Sequence, residues 1–202
     1  TQYSAFKSKA IVAFFLLFTF YFLHSTCALA GGPVTRVSSS SLSVRTNDQV
    51  LKVPYFRTFA LKEGSDKIKR VIIVIHGANR TAGSYFDTIN TAVPLSGFAP
   101  QEVLVIAPQF LREDDLVAHH LSSQHAYWSN NGWKIGHLSR DDDTNPRQAR
   151  ISSFEVIDHI LEKLANKQKY PNLTHVVIAG HSAGGQFVNR YFAGSTELDK
   201  YA

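Results

Sequence analysis

Three short apolar runs stand out along the chain, at residues 71–75, 103–107 and 176–179. The first consists of five consecutive β-branched residues, and none of the three alternates with polar residues. Continuous apolar runs of this length are typical of strands that are buried on both faces, as in a parallel sheet covered by helices. The pattern therefore predicts three central strands.

Helical periodicity occupies the intervals around these runs and predicts helices over 82–93, 153–166 and 183–192. The second of them carries one apolar stripe, formed by Phe154, Ile157, Leu161 and Leu164. Strands that alternate with helices in this way predict an α/β fold, in which a mostly parallel sheet is flanked by helices.

Capping and breaking residues refine these boundaries. Ser152 and Glu155 form a capping box in front of the second helix, and Gly194 is the expected stop of the third. Residues 42–61 are rich in β-formers but contain Pro54, which favours edge strands or a hairpin over central strands.

The stretch from 109 to 150 is too long and too polar for a simple connection. It follows the second strand, so it lies at the edge where α/β sheets build their sites, and a lid or a substrate-binding role is one hypothesis. Its Trp128 and Trp133 either stack on an aromatic or sugar substrate or simply pack within the loop. Both alternatives stay open.

Two polar clusters in this stretch resemble metal ligands only superficially. His119, His120 and His125 include adjacent histidines, which diverge on a strand, and no carboxylate lies at a helical ligand spacing. The acidic run 141–143 lacks further spaced oxygen ligands for Ca²⁺. We expect solvated loops, no metal and no cofactor.

The composition bounds the class of protein. With 202 residues, 44% of them hydrophobic, the chain is long enough for one domain with a substantial core. Lys7 and Lys9 supply two of the five net positive charges and lie in a predicted leader, so +3 remains. This mild charge, without basic clusters interleaved with aromatic residues, gives no reason to expect nucleic acid as a partner.

The first thirty residues have a basic start, an apolar run and a small-residue cleavage signal at Ala28-Leu29-Ala30. We expect a signal peptide at 1–30, a tail or linker at 31–41 and the folded domain at 42–202. An uncleaved anchor is the alternative; cleavage leaves a secreted, extracellular protein without a stable membrane anchor. The single cysteine, Cys27, leaves with the leader, so no disulfide is expected in the rest of this chain.

Two glycosylation sequons begin at Asn79 and Asn172. Asn172 precedes a predicted strand and is the better glycosylation candidate, because it lies away from the functional edge of the sheet. A glycan on Asn79, which follows a strand, would obstruct that edge.

The third apolar run leads directly into Gly180-His181-Ser182-Ala183-Gly184. A turn this sharp needs glycine on both sides of the serine, because a side chain there would clash with the neighbouring strand or the following helix. The pattern predicts a nucleophile elbow that presents Ser182 for catalysis. The alternative is a turn whose serine merely caps the helix.

His76-Gly77 after the first strand, together with the 180–184 turn, resembles the α/β-hydrolase superfamily over about residues 50–192. The resemblance implies that Ser182 is the nucleophile and that the amides of Ala78 and Ala183 form the oxyanion hole. It casts five residues as supports of this site: His76, Gly77, Gly180, His181 and Gly184. We expect His76 to hold its loop by a hydrogen bond rather than to act as a base. Residues 106–109 and the tryptophans are similar to secreted esterases of the feruloyl-esterase and polyester-depolymerase kind.

In that superfamily the acid and the histidine follow the serine along the chain. No histidine follows Ser182 here, and Asp199 is too close to be the acid. The resemblance therefore implies an N-terminal fragment, truncated after the elbow helix and inactive alone, whose Asp and His lie beyond Ala202. We expect the full-length protein to cleave a small-molecule or polymeric ester through an acyl-enzyme; carboxylesterase, lipase and peptidase stay open, in that order. A non-catalytic binding protein or inactive fragment that retains the fold is the alternative.

Overall fold

The computed structural model describes residues 31–46, 49–141, 143, 146 and 149–195, so the predicted leader lies outside the described residues. Five strands form one open sheet: β1 Ser41–Thr46, β2 Gln49–Arg57, β3 Arg70–Ile75, β4 Val103–Pro108 and β5 His175–Gly180. The α-helices are α1 Ala82–Ala92, α2 Glu113–Ala118, α3 Ser153–Ala165 and α4 Ala183–Gly194. Shorter 3₁₀ turns lie at Val93–Ser96, Pro100–Glu102 and Gly132–Ile135.

The strand order is β1-β2-β4-β3-β5. β3 is parallel to β4 and β5, whereas β2 is antiparallel to both β1 and β4. The sheet is therefore mixed, which corrects the prediction of a mostly parallel one. The reason is that residues 58–69 connect β2 to β3 without a helix. A parallel connection would have to cross over one face of the sheet, whereas here the chain reverses direction at the end of β2.

β1 and β2 form the hairpin predicted within residues 42–61, but β2 is not an edge strand, and Pro54 lies where it changes partners. Residues 49–54 pair with β1, and residues 55–57 pair with β4. Pro54 has no N–H to donate, so it fits the point at which one ladder ends and the other begins. β2 is thus an inner strand by position, although neither neighbour follows it over its full length.

The inner strand β3 packs on both of its faces, as its apolar run predicts. Val71, Ile73 and Ile75 join the main core together with side chains of α3 and α4. Ile72 and Val74 pack on the opposite side, in the clusters that include α1. β4 is buried along its whole length. The sheet therefore has a helical layer on each face.

Helix α3 begins at the predicted capping box. The Ser152 hydroxyl accepts a hydrogen bond from the Phe154 N–H at 3.1 Å, and the Glu155 carboxylate accepts one from the Ser152 N–H at 2.6 Å. Its apolar stripe packs on the sheet through Val156, Ile157, Ile160, Leu161 and Leu164. Phe154, also predicted for the stripe, is only partly buried and contacts the rings of Phe187 and Tyr191 in α4.

Strand β5 departs from the expected burial. Val176 and Val177 are 39% and 51% exposed. Within the described residues β5 pairs with β3 alone, so its other edge carries no partner strand there. The apolar run correctly predicts the strand. Its predicted burial is not observed, because no described residues pack over Val176 and Val177 closely enough to exclude solvent.

None of the helices in the described part of the chain combines the length and the apolar character needed to cross a membrane.

Candidate functional site

Ser182 lies between β5 and α4, at the carboxyl end of β5. Its backbone angles are φ 56° and ψ −120°, and the residue is exposed. Positive φ is strained for a residue with a side chain, at a cost of roughly 1–3 kcal/mol, and persists only where the surrounding structure imposes it. The turn thus holds an exposed serine in a conformation that an unconstrained chain would leave.

Gly180 and Gly184 leave no room for a side chain on either side of Ser182. A Cβ at Gly180 would overlap the backbone of Gly184 and lie 2.9 Å from the Gly185 nitrogen, in the first turn of α4. A Cβ at Gly184 would overlap the Ile75 carbonyl oxygen and lie 2.7 Å from that of His76. The 180–184 turn is therefore packed directly against the end of β3.

A second turn lies beside the first. Residues 77–80 form a β-turn closed by the Arg80 N–H, which donates to the Gly77 carbonyl oxygen at 3.0 Å. A Cβ at Gly77 would lie 3.8 Å from the His181 carbonyl oxygen. The structure therefore brings the 77–80 turn and the 180–184 turn together at the carboxyl edge of two adjacent parallel strands.

The Ala78 and Ala183 amides at this edge have no hydrogen-bond acceptor among the described residues, and Ala78 is exposed. Ala183 is the first residue of α4 and only 4% exposed. Buried N–H groups without a partner are rare, and the amino-terminal end of a helix carries partial positive charge. The arrangement can hold negative charge next to Ser182.

His76 is buried and bonded through both ring nitrogens. Nε2 lies 3.0 Å from the Phe110 N–H, which must donate to it, so the proton resides on Nδ1 and is donated to the Gly77 carbonyl oxygen at 2.9 Å. Burial lowers the pKa of His76 to about 4. The neutral ring therefore links the 77–80 turn to the segment after β4 through two hydrogen bonds. Neither ring nitrogen is available to take a proton from Ser182.

His181 is exposed on the 180–184 turn. In the described part of the chain, no imidazole is hydrogen-bonded to the Ser182 hydroxyl. The described residues thus supply a positioned serine and unpaired amides, but they do not supply a base in contact with it.

A buried ion pair that no sequence pattern predicts lies next to the 77–80 turn. Arg80 has φ 57°, and its guanidinium binds both carboxylate oxygens of Asp115 at 2.9 and 3.1 Å. Both side chains are fully buried. Asp115 also accepts the N–H groups of Val34 and Arg112, at 2.8 and 2.7 Å. The 77–80 turn is thereby fastened to α2.

The same pair holds the segment predicted as a tail or linker. Arg80 donates to the Gly32 carbonyl oxygen at 3.1 Å, and Val34 is buried against α2. Further along, Gln109 donates from its side chain to the carbonyl oxygens of Arg36 and Arg80. Isolated polar residues 35 positions apart give no sequence pattern that predicts such a network.

The loop tryptophans pack in the core. Trp128 and Trp133 are 1% and 0% exposed. The ring centroid of Trp133 lies 4.7 Å from the His76 ring centroid and 5.6 Å from the Phe110 ring centroid. Of the two alternatives for these side chains, packing is therefore correct. Trp133 contributes to the site indirectly, because its ring packs against that of His76.

The histidines for which solvated loops were expected lie at and after the end of α2. His119 caps the carboxyl end of α2, and His120 follows it with φ 49°. No group of three or more potential metal ligands lies within the described residues. Asp142 of the acidic run lies outside the described residues.

The two sequons lie at opposite edges of the sheet. Asn172 precedes β5 and is exposed, with its side-chain nitrogen donating to the Asp66 carbonyl oxygen at 2.7 Å. Asn79 is exposed in the 77–80 turn, beside the Ala78 amide.

No protein-family model and no curated protein matches this chain. Among solved structures, it is similar to poly(aspartic acid) hydrolase-1 from Sphingomonas sp. KT-1, with 25% identity and a TM-score of 0.43, over 77% of this chain and 51% of that one. It is also similar to the siderophore hydrolase EstB from Aspergillus nidulans, with 12% identity and a TM-score of 0.39, over 81% of this chain and 54% of that one. The chain thus spans about half the length of each structure that it matches.

Proposed function

We propose that the full-length protein is a serine hydrolase with an α/β-hydrolase fold, which cleaves an ester bond through an acyl-enzyme. Ser182 carries this proposal. It is an exposed serine in a strained backbone conformation, held at a sheet edge beside the unpaired amides of Ala78 and Ala183. The side chain of a serine that only capped α4 would accept a hydrogen bond from the first turn of the helix, and the Ser182 side chain accepts none.

The reaction begins when the Ser182 oxygen attacks the ester carbonyl carbon and loses its proton to a histidine. The carbonyl oxygen gains negative charge and accepts hydrogen bonds from the Ala78 and Ala183 amides. Collapse of this intermediate expels the alcohol, which takes the proton from the histidine, and leaves an acyl group on Ser182. Water then releases the acid by the same steps, with the histidine as base.

The proposal requires a histidine and an acid beyond Ala202, in the chain order of this superfamily. His76 is unsuited to the task, because both of its ring nitrogens are engaged and its pKa is lowered to about 4. The ester itself is a small molecule or a polymer. Acyl and alcohol specificity depend on the loops and pockets around Ser182.

Covalent labelling by a fluorophosphonate tests the nucleophile directly. We expect the full-length protein to gain one label on the peptide containing Ser182, and the Ser182→Ala variant to gain none. Ser84→Ala is the matched control, because Ser84 is an exposed serine of α1 and its loss should leave labelling intact. Labelling that persists in Ser182→Ala would contradict the assignment. A folded full-length protein that takes no label would favour the non-catalytic alternative.

We further propose that the protein is secreted after cleavage behind Ala30. Amino-terminal sequencing of protein recovered from the medium should then begin at Gly31. An intact leader on membrane-associated protein would instead identify residues 1–30 as an anchor.

A further inference from the structure

Tyr85 lies in the first turn of α1, directly after the 77–80 turn. It packs against the cluster formed by Val74, Ala82 and Ala107, and the residue is half-buried. Side chains of a helix lean towards its amino-terminal end, which directs the Tyr85 phenol back over the 77–80 turn. The hydroxyl has no hydrogen-bond partner among the described residues.

The Tyr85 hydroxyl occupies the space where residue 77 would carry a side chain. A Cβ at Gly77 would lie 2.7 Å from the hydroxyl oxygen, 3.7 Å from the ring carbon that bears it, and 3.8 Å from the His181 carbonyl oxygen. The end of the phenol therefore abuts Gly77 on the side that faces the 180–184 turn. Gly77 also provides the peptide bond whose nitrogen is the Ala78 amide.

We propose that Tyr85 is a third hydrogen-bond donor of the ester site. Its O–H donates to the substrate carbonyl oxygen as that oxygen gains charge, beside the amides of Ala78 and Ala183. This assignment rests on the proposed function. The Tyr85 ring is only half-buried and its hydroxyl donates to no described residue, so a bound substrate can accept this hydrogen bond in place of water. A neutral donor already in place needs no reorganisation when charge develops.

Tyr85→Phe in the full-length protein tests this role. Steady-state hydrolysis of p-nitrophenyl acetate should show kcat lowered by about 10²-fold, the loss typical of one oxyanion donor, with KM changed less than twofold. Affinity for a trifluoromethyl ketone, which forms a tetrahedral adduct, should fall by a similar factor. The thermal midpoint should stay unchanged, because the lost hydroxyl has no partner within the described protein.

Tyr170→Phe is the matched control. The Tyr170 hydroxyl is buried and donates to the Leu61 carbonyl oxygen at 3.0 Å, near the amino-terminal edge of the sheet. Its removal should lower the thermal midpoint and leave kcat unchanged. The two tyrosines thus give opposite results if one hydroxyl serves catalysis and the other serves stability.

Gly77→Ala tests the geometry. The added methyl group displaces the Tyr85 hydroxyl, so kcat should fall. In the Tyr85→Phe background the same change should add little, because the nearest ring carbon lies at 3.7 Å, an ordinary contact. Equal losses in both backgrounds would contradict the placement of the hydroxyl.

The outcomes separate this inference from the proposed function. If Ser182→Ala abolishes hydrolysis while Tyr85→Phe retains the wild-type kcat and ketone affinity, the Tyr85 assignment alone is overturned. If Ser182→Ala retains hydrolysis, the proposed function itself fails. Loss of kcat and ketone affinity in Tyr85→Phe, at an unchanged midpoint, supports the donor role.

Discussion

Glycine at position 184 is required by atoms that lie outside its own turn. A side chain there would meet the carbonyl oxygens of Ile75, the last residue of β3, and of His76, which follows it. Ile75 is paired with Gly180 of β5, and the His76 ring is hydrogen-bonded to Gly77 and Phe110, so these backbone atoms have little freedom to move aside. The 180–184 turn can therefore approach the end of β3 this closely only because residue 184 has no Cβ.

We predict that Gly184→Ala lowers the free energy of unfolding by about 1–3 kcal/mol, the usual cost of overpacking. Urea denaturation measures this change. Gly194→Ala is the matched control in the same helix, because a Cβ there would meet nothing within 4 Å. It should leave stability unchanged or raise it by up to about 1 kcal/mol through helix propensity. Equal effects of the two substitutions would contradict the steric argument.

His76 makes stability depend on pH. Its pKa falls from 6.5 to about 4 on folding because burial disfavours the charged ring. Between these two values the unfolded chain binds a proton that the folded chain does not. Stability from this residue is therefore complete above pH 6.5 and is lost as the pH falls towards 4, by about 3 kcal/mol in total.

The pH dependence can be assigned by substitution. We expect His76→Gln to be less stable than wild type at pH 7, with a difference that narrows between pH 6.5 and 4, as measured by denaturation at each pH. His159→Gln removes a histidine from the surface of α3, where its ring pairs with Glu162. That variant should keep the wild-type dependence on pH. A constant gap between His76→Gln and wild type would argue against the buried neutral ring.

At the scale of elements, the parts that the sequence predicted are those set by local pattern. The apolar run at 71–75, the stripe of α3 and the Ser152 capping box each depend on residues that are close together in the chain, and all three are present. The antiparallel pairing of β2 with β4 was not predicted. Strand periodicity is the same for both directions, and only the missing crossover helix distinguishes them.

Burial of the tryptophans was left open for a related reason. Trp133 is buried by rings from three other parts of the chain, those of His76, Phe110 and Phe187. A polar surrounding sequence gives no indication of such long-range contacts. The same distinction applies to the candidate site. The 180–184 turn is recognisable from five consecutive residues, whereas the contact of Tyr85 with Gly77 depends on how α1 is oriented relative to the 77–80 turn.

Helix caps offer a test at this scale. Ser152→Ala removes the acceptor of the Phe154 N–H and the donor to the Gly136 carbonyl oxygen, so it should cost about 1–2 kcal/mol. Thr81 occupies the same capping position in α1 but makes no side-chain capping bond. Thr81→Ala should therefore cost less than about 0.5 kcal/mol. If chemical denaturation gave similar losses of unfolding free energy for the two variants, the side-chain capping bond would not be the cause of the loss in Ser152→Ala.

Across the whole molecule, the Arg80–Asp115 pair joins parts of the chain that are far apart in sequence. It connects the 77–80 turn with α2 and with the backbone of Gly32 and Val34. Each Asp115 oxygen accepts two hydrogen bonds, one from Arg80 and one from a backbone N–H. The turn that carries the Ala78 amide is thus held by the same pair that anchors the segment before β1.

Asp115→Asn should lower the free energy of unfolding by about 3–5 kcal/mol, because it leaves the Arg80 guanidinium buried without its counter-charge. Arg36→Gln is the control: it breaks the Arg36–Asp87 pair, whose side chains are 51% and 57% exposed, and should cost at most about 1 kcal/mol. If Asp115→Asn fails to fold, the double variant Arg80→Met with Asp115→Leu decides the question. Removing both charges eliminates the uncompensated one, so the double variant should be more stable than Asp115→Asn. A double variant that is less stable would mean that the backbone hydrogen bonds to Asp115, rather than its charge, hold these segments together.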